Sequence, residues 1–409
     1  MPILLEDDLN VRLPAMARVR QLFDKEEIED LEAGVRAALS APDIAGLIRA
    51  GQKVAVAVGS RGISRLEEIV RTVVECLKER GAQPFVIAAM GSHGGGTAEG
   101  QREVLAGYGI TEARVGAPVV CDMDTVLIGR TGGGVEVFTD RVALEEADMT
   151  VLINRVKPHT DFNGPVESGL CKMAAIGLGN HHGCVTMHRA GFDAFHALIP
   201  EAAALVFEKS TIGFGLAIVE NAADRTAYVE AIPAARILAE EPRIFADAER
   251  RMARLFIPEI DVLIVEKIGK NISGAGIDPN IVGRFGPKAE KPGIPKSALM
   301  VILDLTEETH GNALGVGFAD ITTKAVLEKM DFESTYANAI ASGNLVCAAL
   351  PPAMADEKEA IAAAVKFWGG EPASCRIVRI KNTLEVEEIL VSENLLPFIR
   401  KNPERFTLL

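Results

Sequence analysis

The chain contains no CxxC pair, no HExxH, no P-loop pattern and no GxGxxG fingerprint, so no dithiol, zincin or dinucleotide motif can be read from it. Its six cysteines (Cys76, Cys121, Cys171, Cys184, Cys347 and Cys375) are scattered. In a chain of this length that spacing predicts reduced thiols and a cytoplasmic protein rather than a disulfide framework. No apolar run reaches the roughly 18 residues of a membrane-spanning helix. The opening residues MPILLEDDLNV offer neither a basic start nor a long apolar stretch, so no signal peptide is expected. Lys and Arg are not clustered, and the net charge of −14 is spread along the chain. That distribution predicts no nucleic-acid surface and no anionic-membrane surface. A small anionic ligand would have to be drawn in by a local cationic pocket.

What is present is a long, apolar, glycine-punctuated chain. At 409 residues, with 48% apolar and 24% charged residues, two globular domains are expected. Residues 4–14 alternate apolar and polar and predict an edge strand or hairpin arm. KVAVAVGS and PFVIAAMGSHGGGT are short buried strands ending in glycine-rich turns, and each leads into a helix. Repeated strand, loop and helix predict parallel βαβ units in an open sheet. Short strands follow over 118–153. The charged segment ARILAEEPRIFADAERRMARLF reads as a long helix with a break at Pro242. After Pro258 the pattern begins again with DVLIVEK. The fold expected is therefore α/β with two domains: a Rossmann-like parallel-sheet domain over 1–258 and a smaller α/β domain over 259–409. The site is expected in the cleft between them.

Ligands of open α/β sheets sit beyond the carboxyl ends of the strands. Three such ends carry unusual residues: Gly59-Ser60-Arg61-Gly62 after VAVAV, Gly91-Ser92-His93-Gly94 after FVIAAM, and Arg155-Val156-Lys157-Pro158-His159 after TVLIN. Each has a plain reading as a turn or surface residue. Three successive cationic or titratable strand ends point instead to a site assembled from separate loops. The glycine runs GSHGGGT and TGGG suit either a tight turn or an anion cradle. Between Arg155 and His188 lie four of the seven histidines (His159, His181, His182, His188), Cys171, Cys184, Lys157 and Lys172. No zinc spacing appears among them. One histidine plus ligands from a bound cofactor is the more economical metal site. Lys172, in SGLCKMAAIGLG, is either a snorkelling lysine or a desolvated nucleophile or attachment point.

The motifs SRG at 60–62, GSHGGGT at 91–97, KPHTDFNGPVESGLCKM at 157–173 and GLGNHHGCVTMH at 177–188, in that order, resemble the nickel-dependent lactate racemases and their α-hydroxyacid racemase and epimerase relatives. The resemblance covers most of the chain and is strongest over its first two hundred or so residues. It implies a nickel pincer nucleotide, a pyridinium mononucleotide tethered to Lys172 with its nickel capped by His188. It also implies catalytic histidines at His93 and His159 and a substrate-binding arginine at Arg61. Lys270 in EKIGKNISG is the residue expected to close over the substrate. The implied reaction inverts the hydroxyl-bearing carbon of a 2-hydroxy acid by reversible hydride transfer. The implied partners are a small anionic hydroxyacid and the proteins that build the cofactor. A homo-oligomer is left open. Gly94-Gly95 stand where the lactate racemases carry Arg-Pro, and Ser168-Gly169-Leu170-Cys171 precede the lysine where they carry Gly-Gly-Arg. Those changes point to a hydroxyacid larger or more polar than lactate. Two other readings of the same residues are a zinc-dependent hydrolase using the histidine cluster and a non-catalytic nucleotide- or anion-binding protein.

Overall fold

Among the described residues, strand and helix alternate to form two large sheets and a two-stranded hairpin. The computed structural model describes residues 4–60, 62–285 and 294–409, and the chain divides into two compact units, Asp24–Met252 and Met1–Phe23 with Ala253–Leu409. Among the described residues no single helix is long and apolar enough to cross a membrane.

The Asp24–Met252 unit is built on a six-stranded sheet. Its order is Val119–Val120, Gln83–Ala88, Lys53–Val58, Met149–Arg155, Ile212–Glu220 and Thr226–Pro233. The first five strands run parallel, and only the last pair is antiparallel. Alternation within KVAVAV decides what each face can hold. Val54, Val56 and Val58 point to one side, where they pack with Leu31, Val35 and Leu39 of the helix Leu31–Ser40 and with Ile69, Val73 and Leu77 of the helix Leu66–Glu79. Fully burying each such aliphatic side chain is worth about 1.5–3 kcal/mol. Ala55 and Ala57 point to the other side, and the small side chains let backbone come close. There the sheet is covered by Leu170, Cys171, Ala174, Ile176 and Leu178, with the helices Phe195–Lys209 and Ala234–Arg251 behind them. The approach is close at Gly177, where a β-carbon would lie 2.7 Å from the Ala89 carbonyl oxygen. The segment 170–178 thus packs close on the alanine face of the sheet.

A separate hairpin, Thr125–Arg130 with Glu136–Asp140, packs its Phe138 against the helix Asn180–His188. The TGGG run is the turn of this hairpin, closed by Gly134 N–H to Thr131 O at 2.8 Å.

The second unit carries an eight-stranded mixed sheet. Glu259–Ile268 lies parallel to Lys296–Leu305 and to Ile377–Ile380. Residues 4–14 correct the sequence expectation of a strand. They form a short helix, Glu6–Leu9, because the Asp8 carboxylate accepts the Leu5 N–H at 2.8 Å and closes a local turn. The strand follows at Met16–Gln21, paired with Glu388–Ser392 and Phe406–Leu408. Residues 1–23, placed by sequence with the first domain, accordingly belong to the unit that holds the end of the chain. Pro242 does not break its helix, which runs unbroken from Ala234 to Arg251. The ring removes one backbone donor, and burial of Ile237, Ile244, Phe245 and Ala248 offsets that loss.

Candidate active site

The carboxyl ends of the parallel strands at Val58, Ala88 and Arg155 lie on one edge of the sheet, and the Gly169–His188 segment crosses that edge. Asn154 donates from Nδ2 to the Gly169 carbonyl at 2.7 Å. Gly91 N–H donates to the Gly177 carbonyl at 3.1 Å. The stretch is a helical turn, Leu170–Lys172, then a π-helical turn, Met173–Gly177, then the helix Asn180–His188. Wide π turns inside helices frequently mark functional positions, and this one begins directly after Lys172.

His159 stands on a loop held shut at its base by paired backbone bonds between Lys157 and Ser168, at 2.9 and 3.1 Å. Inside the loop, the buried Glu167 carboxylate accepts the His159 N–H at 2.7 Å and the Gly164 N–H at 3.2 Å. The imidazole packs on Phe162 with 4.6 Å between centroids, and Phe192 lies at 6.2 Å. Its Nδ1 accepts the Asp161 N–H at 3.0 Å, with the Asp161 carboxylate 3.7 Å away. That bond leaves the proton of the neutral ring on Nε2.

His188 lies across the same aromatic cluster. Its ring meets Phe192 at 5.6 Å and Phe195 at 5.2 Å, both edge-to-face. Phe195 touches Phe162 at 5.3 Å and Phe192 at 5.1 Å. Lys172 Nζ lies 5.9 Å from the Phe162 ring centre. Three phenylalanines therefore gather His159, Lys172 and His188 around one patch. His188 Nδ1 lies 2.7 Å from the Cys184 carbonyl and 3.5 Å from the Cys184 thiol. Burial and the nearby Lys172 ammonium oppose a charge on His188, while its bonds to Cys184 favour one and win, raising its pKa. Burial likewise pushes the Cys184 thiol up, but its bonds to His188 and Ser92 outweigh it and lower the pKa.

The His93 loop joins through its neighbour: Ser92 Oγ lies 3.6 Å from Cys184 Sγ. The His93 side chain itself is exposed. Gly94, Gly95 and Gly96 follow with φ of 65°, 67° and 66°, a left-handed turn that only glycine adopts readily. It feeds the helix Ala98–Gly107, capped by Thr97. His181 and His182 are exposed on the first turn of Asn180–His188, with His182 stacked edge-on against Phe138 at 4.4 Å. Arg61 lies outside the described residues. Lys270 belongs to the second unit, where its N–H bonds Thr309 Oγ1 at 3.0 Å and its Nζ bonds the Gly274 carbonyl.

Asp161, Glu167, Phe192, Phe195 and Glu241 were not singled out from sequence. Asp161 and Glu167 sit within the KPHTDFNGPVESGLCKM motif, and that proximity was the available signal. Phe192 and Phe195 reach the patch, and Glu241 the Leu170–Lys172 turn, only through the fold.

The donor set admits a specific kind of group. Among the described residues, no three or more His, Cys, Asp or Glu side chains converge as a metal site. One imidazole, fixed by its helix through Nδ1 and presenting Nε2, beside one amine on the same aromatic patch, fits a metal-bearing cofactor that brings its remaining ligands with it.

No family model matches the chain, and no curated protein matches it. Among solved structures, the lactate racemase apoprotein from Thermoanaerobacterium thermosaccharolyticum is similar, with a TM-score of 0.55 and 13% identity over 94% of this chain and 96% of that one. At that identity the likeness is one of fold, and it extends over both units.

Proposed function

We propose that this protein is a racemase or epimerase of a small 2-hydroxy acid, working with a nickel pincer nucleotide attached at Lys172 and capped at nickel by His188. The observation that carries this reading is the meeting of His159, Lys172 and His188 around Phe162, Phe192 and Phe195. The racemase-like fold supports it.

What the cofactor supplies when bound is an electron-poor acceptor for the hydrogen on the hydroxyl-bearing carbon. The chain's own residues do the rest. Arg61 binds the substrate carboxylate through the fork geometry that suits a planar anion. The aromatic patch excludes water beside the reacting carbon. His93 and His159 move the hydroxyl proton, one for each enantiomer. For His159 to accept that proton at Nε2, its own proton must move to Nδ1. Asp161 is positioned for this change. A small ring rotation replaces the backbone bond at Nδ1 with one to the carboxylate, now 3.7 Å away. Catalytic hydrogen bonds are often long before substrate arrives and tighten in the complex.

Protein co-produced with the cofactor biosynthesis proteins tests the reading. Nickel together with a covalent mass addition on Lys172 is the expected result. Zinc with an unmodified Lys172 would sink it and favour a hydrolase. The activity assay follows the optical rotation of single-enantiomer 2-hydroxy acids larger or more polar than lactate.

A further inference from the structure

We propose that Glu241 is a positioning residue for Lys172, an inference that rests on Lys172 being the attachment point. Glu241 lies on the helix Ala234–Arg251, fully buried. Its Oε2 accepts the Cys171 N–H at 2.8 Å across 70 residues of chain. Its Oε1 is buried without a hydrogen-bond partner. A β-carbon built on Gly169 would sit 1.9 Å from that oxygen. The carboxyl group therefore occupies the side-chain space of residue 169 while capping the turn Leu170–Lys172.

The same turn is gripped on its carbonyl side. Gly169 O accepts from Asn154 Nδ2 at 2.7 Å and from Met173 N–H at 3.0 Å. Asn154 ties the turn to the end of the central strand, and Glu241 ties it to the helix behind. Lys172 is thus carried by backbone fixed from both sides, with the π-helical turn beginning at the next residue.

An ordinary helix cap is a local Ser, Thr, Asp or Asn that keeps some contact with water. Here the cap is a distant carboxyl group, fully buried. Burying a carboxyl group this way is costly, and a glycine is committed to make room for it. Such an arrangement is accounted for if the placement of Lys172, rather than the stability of three helical residues, is what it secures.

The test uses the full-length chain without cofactor and compares acylation rates of Lys172 and the exposed Lys209, read by peptide mass spectrometry. Glu241→Ala is expected to raise the Lys172 rate at least tenfold, because a released turn frees a half-buried amine, with Lys209 unchanged. Glu241→Gln, which keeps an acceptor for the Cys171 N–H, should stay within threefold of the parent. Should Glu241→Ala fail to fold, Glu241→Asp, whose carboxylate falls short of the Cys171 amide, carries the same expectation. A folded Glu241→Ala or Glu241→Asp variant whose Lys172 rate stays within twofold of the parent overturns the proposal, as does a parallel rise at Lys209, the mark of general loosening. Failure of the cofactor reading looks different: the parent protein, made with the cofactor machinery, would carry no mass addition on Lys172.

Discussion

His159 and Asp161 show how a side chain's task depends on which atom it faces. With Nδ1 accepting a backbone N–H, neutral His159 holds its proton on the nitrogen that the reaction needs bare. Asp161→Asn removes the charge that would stabilise the alternative tautomer and the imidazolium. We expect kcat to fall by about ten- to a hundredfold, short of the full loss of a general base, with KM little changed. An Asp161→Asn enzyme with unaltered kcat and pH profile would remove Asp161 from the mechanism. For Lys172→Ala the expectation is loss of the mass addition and of activity. For His188→Ala it is loss of nickel, read by elemental analysis, with the fold retained. The motif residues Lys172, His188 and His159 were legible because their spacing survives in the linear order. Glu167 was not, because the backbone groups it binds meet only once Lys157 and Ser168 pair and close the loop, and Asp161 was not, because a short-range bond to Thr160 leaves no pattern in the sequence.

The helices that cover the alanine face of the sheet also bury acids. Burial pushes the Glu241 carboxyl up to about 7, although the neighbouring Cys171 and Leu170 pull the other way. Burial likewise pushes Asp140 up to about 6 against its bonds to Ala143 and Asn180. Both pKa values are raised on folding. Stability from these groups is complete below the unfolded carboxyl range and is lost as pH rises through about 6 for Asp140 and about 7 for Glu241. Glu241→Gln removes the second of these losses. The variant should therefore gain on the parent between pH 5 and pH 8, by about 3 kcal/mol, read as the difference in denaturation midpoints at the two pH values. A difference that stays flat with pH would mean that Glu241 does not titrate in that window. At this scale the alternating strands and the helices beside them were legible from periodicity. The unbroken helix through Pro242 was not, since the apolar stripe that sustains it outweighs a local signal. The hairpin turn at TGGG was legible only as one of two readings, because a glycine run states freedom of backbone and not its use.

For the molecule as a whole, the division of the chain turns on one strand. Met16–Gln21 lies between Glu388–Ser392 and Phe406–Leu408, antiparallel to both. Its partners are more than 350 residues away, and no local pattern announces such pairing. A sequence reading assigns a strand to its neighbours in the chain, which here gives the wrong unit. Gln21 strengthens the attachment: its buried side chain donates to the Val386 carbonyl at 2.6 Å and to the Arg254 carbonyl at 3.0 Å, and it accepts the Phe256 N–H at 2.8 Å. Removing residues 1–23 would leave the facing edges of two strands unpaired, and such edges recruit other chains. The segment 24–252 contains its own sheet and both of its covering layers, so expressed alone it should unfold cooperatively on heating. Residues 253–409 expressed alone should be aggregation-prone, and a peptide of residues 1–23 supplied in trans should restore a cooperative transition. A stable, monomeric 253–409 fragment indifferent to that peptide would show that the strand is an ornament of the second sheet and not part of its framework.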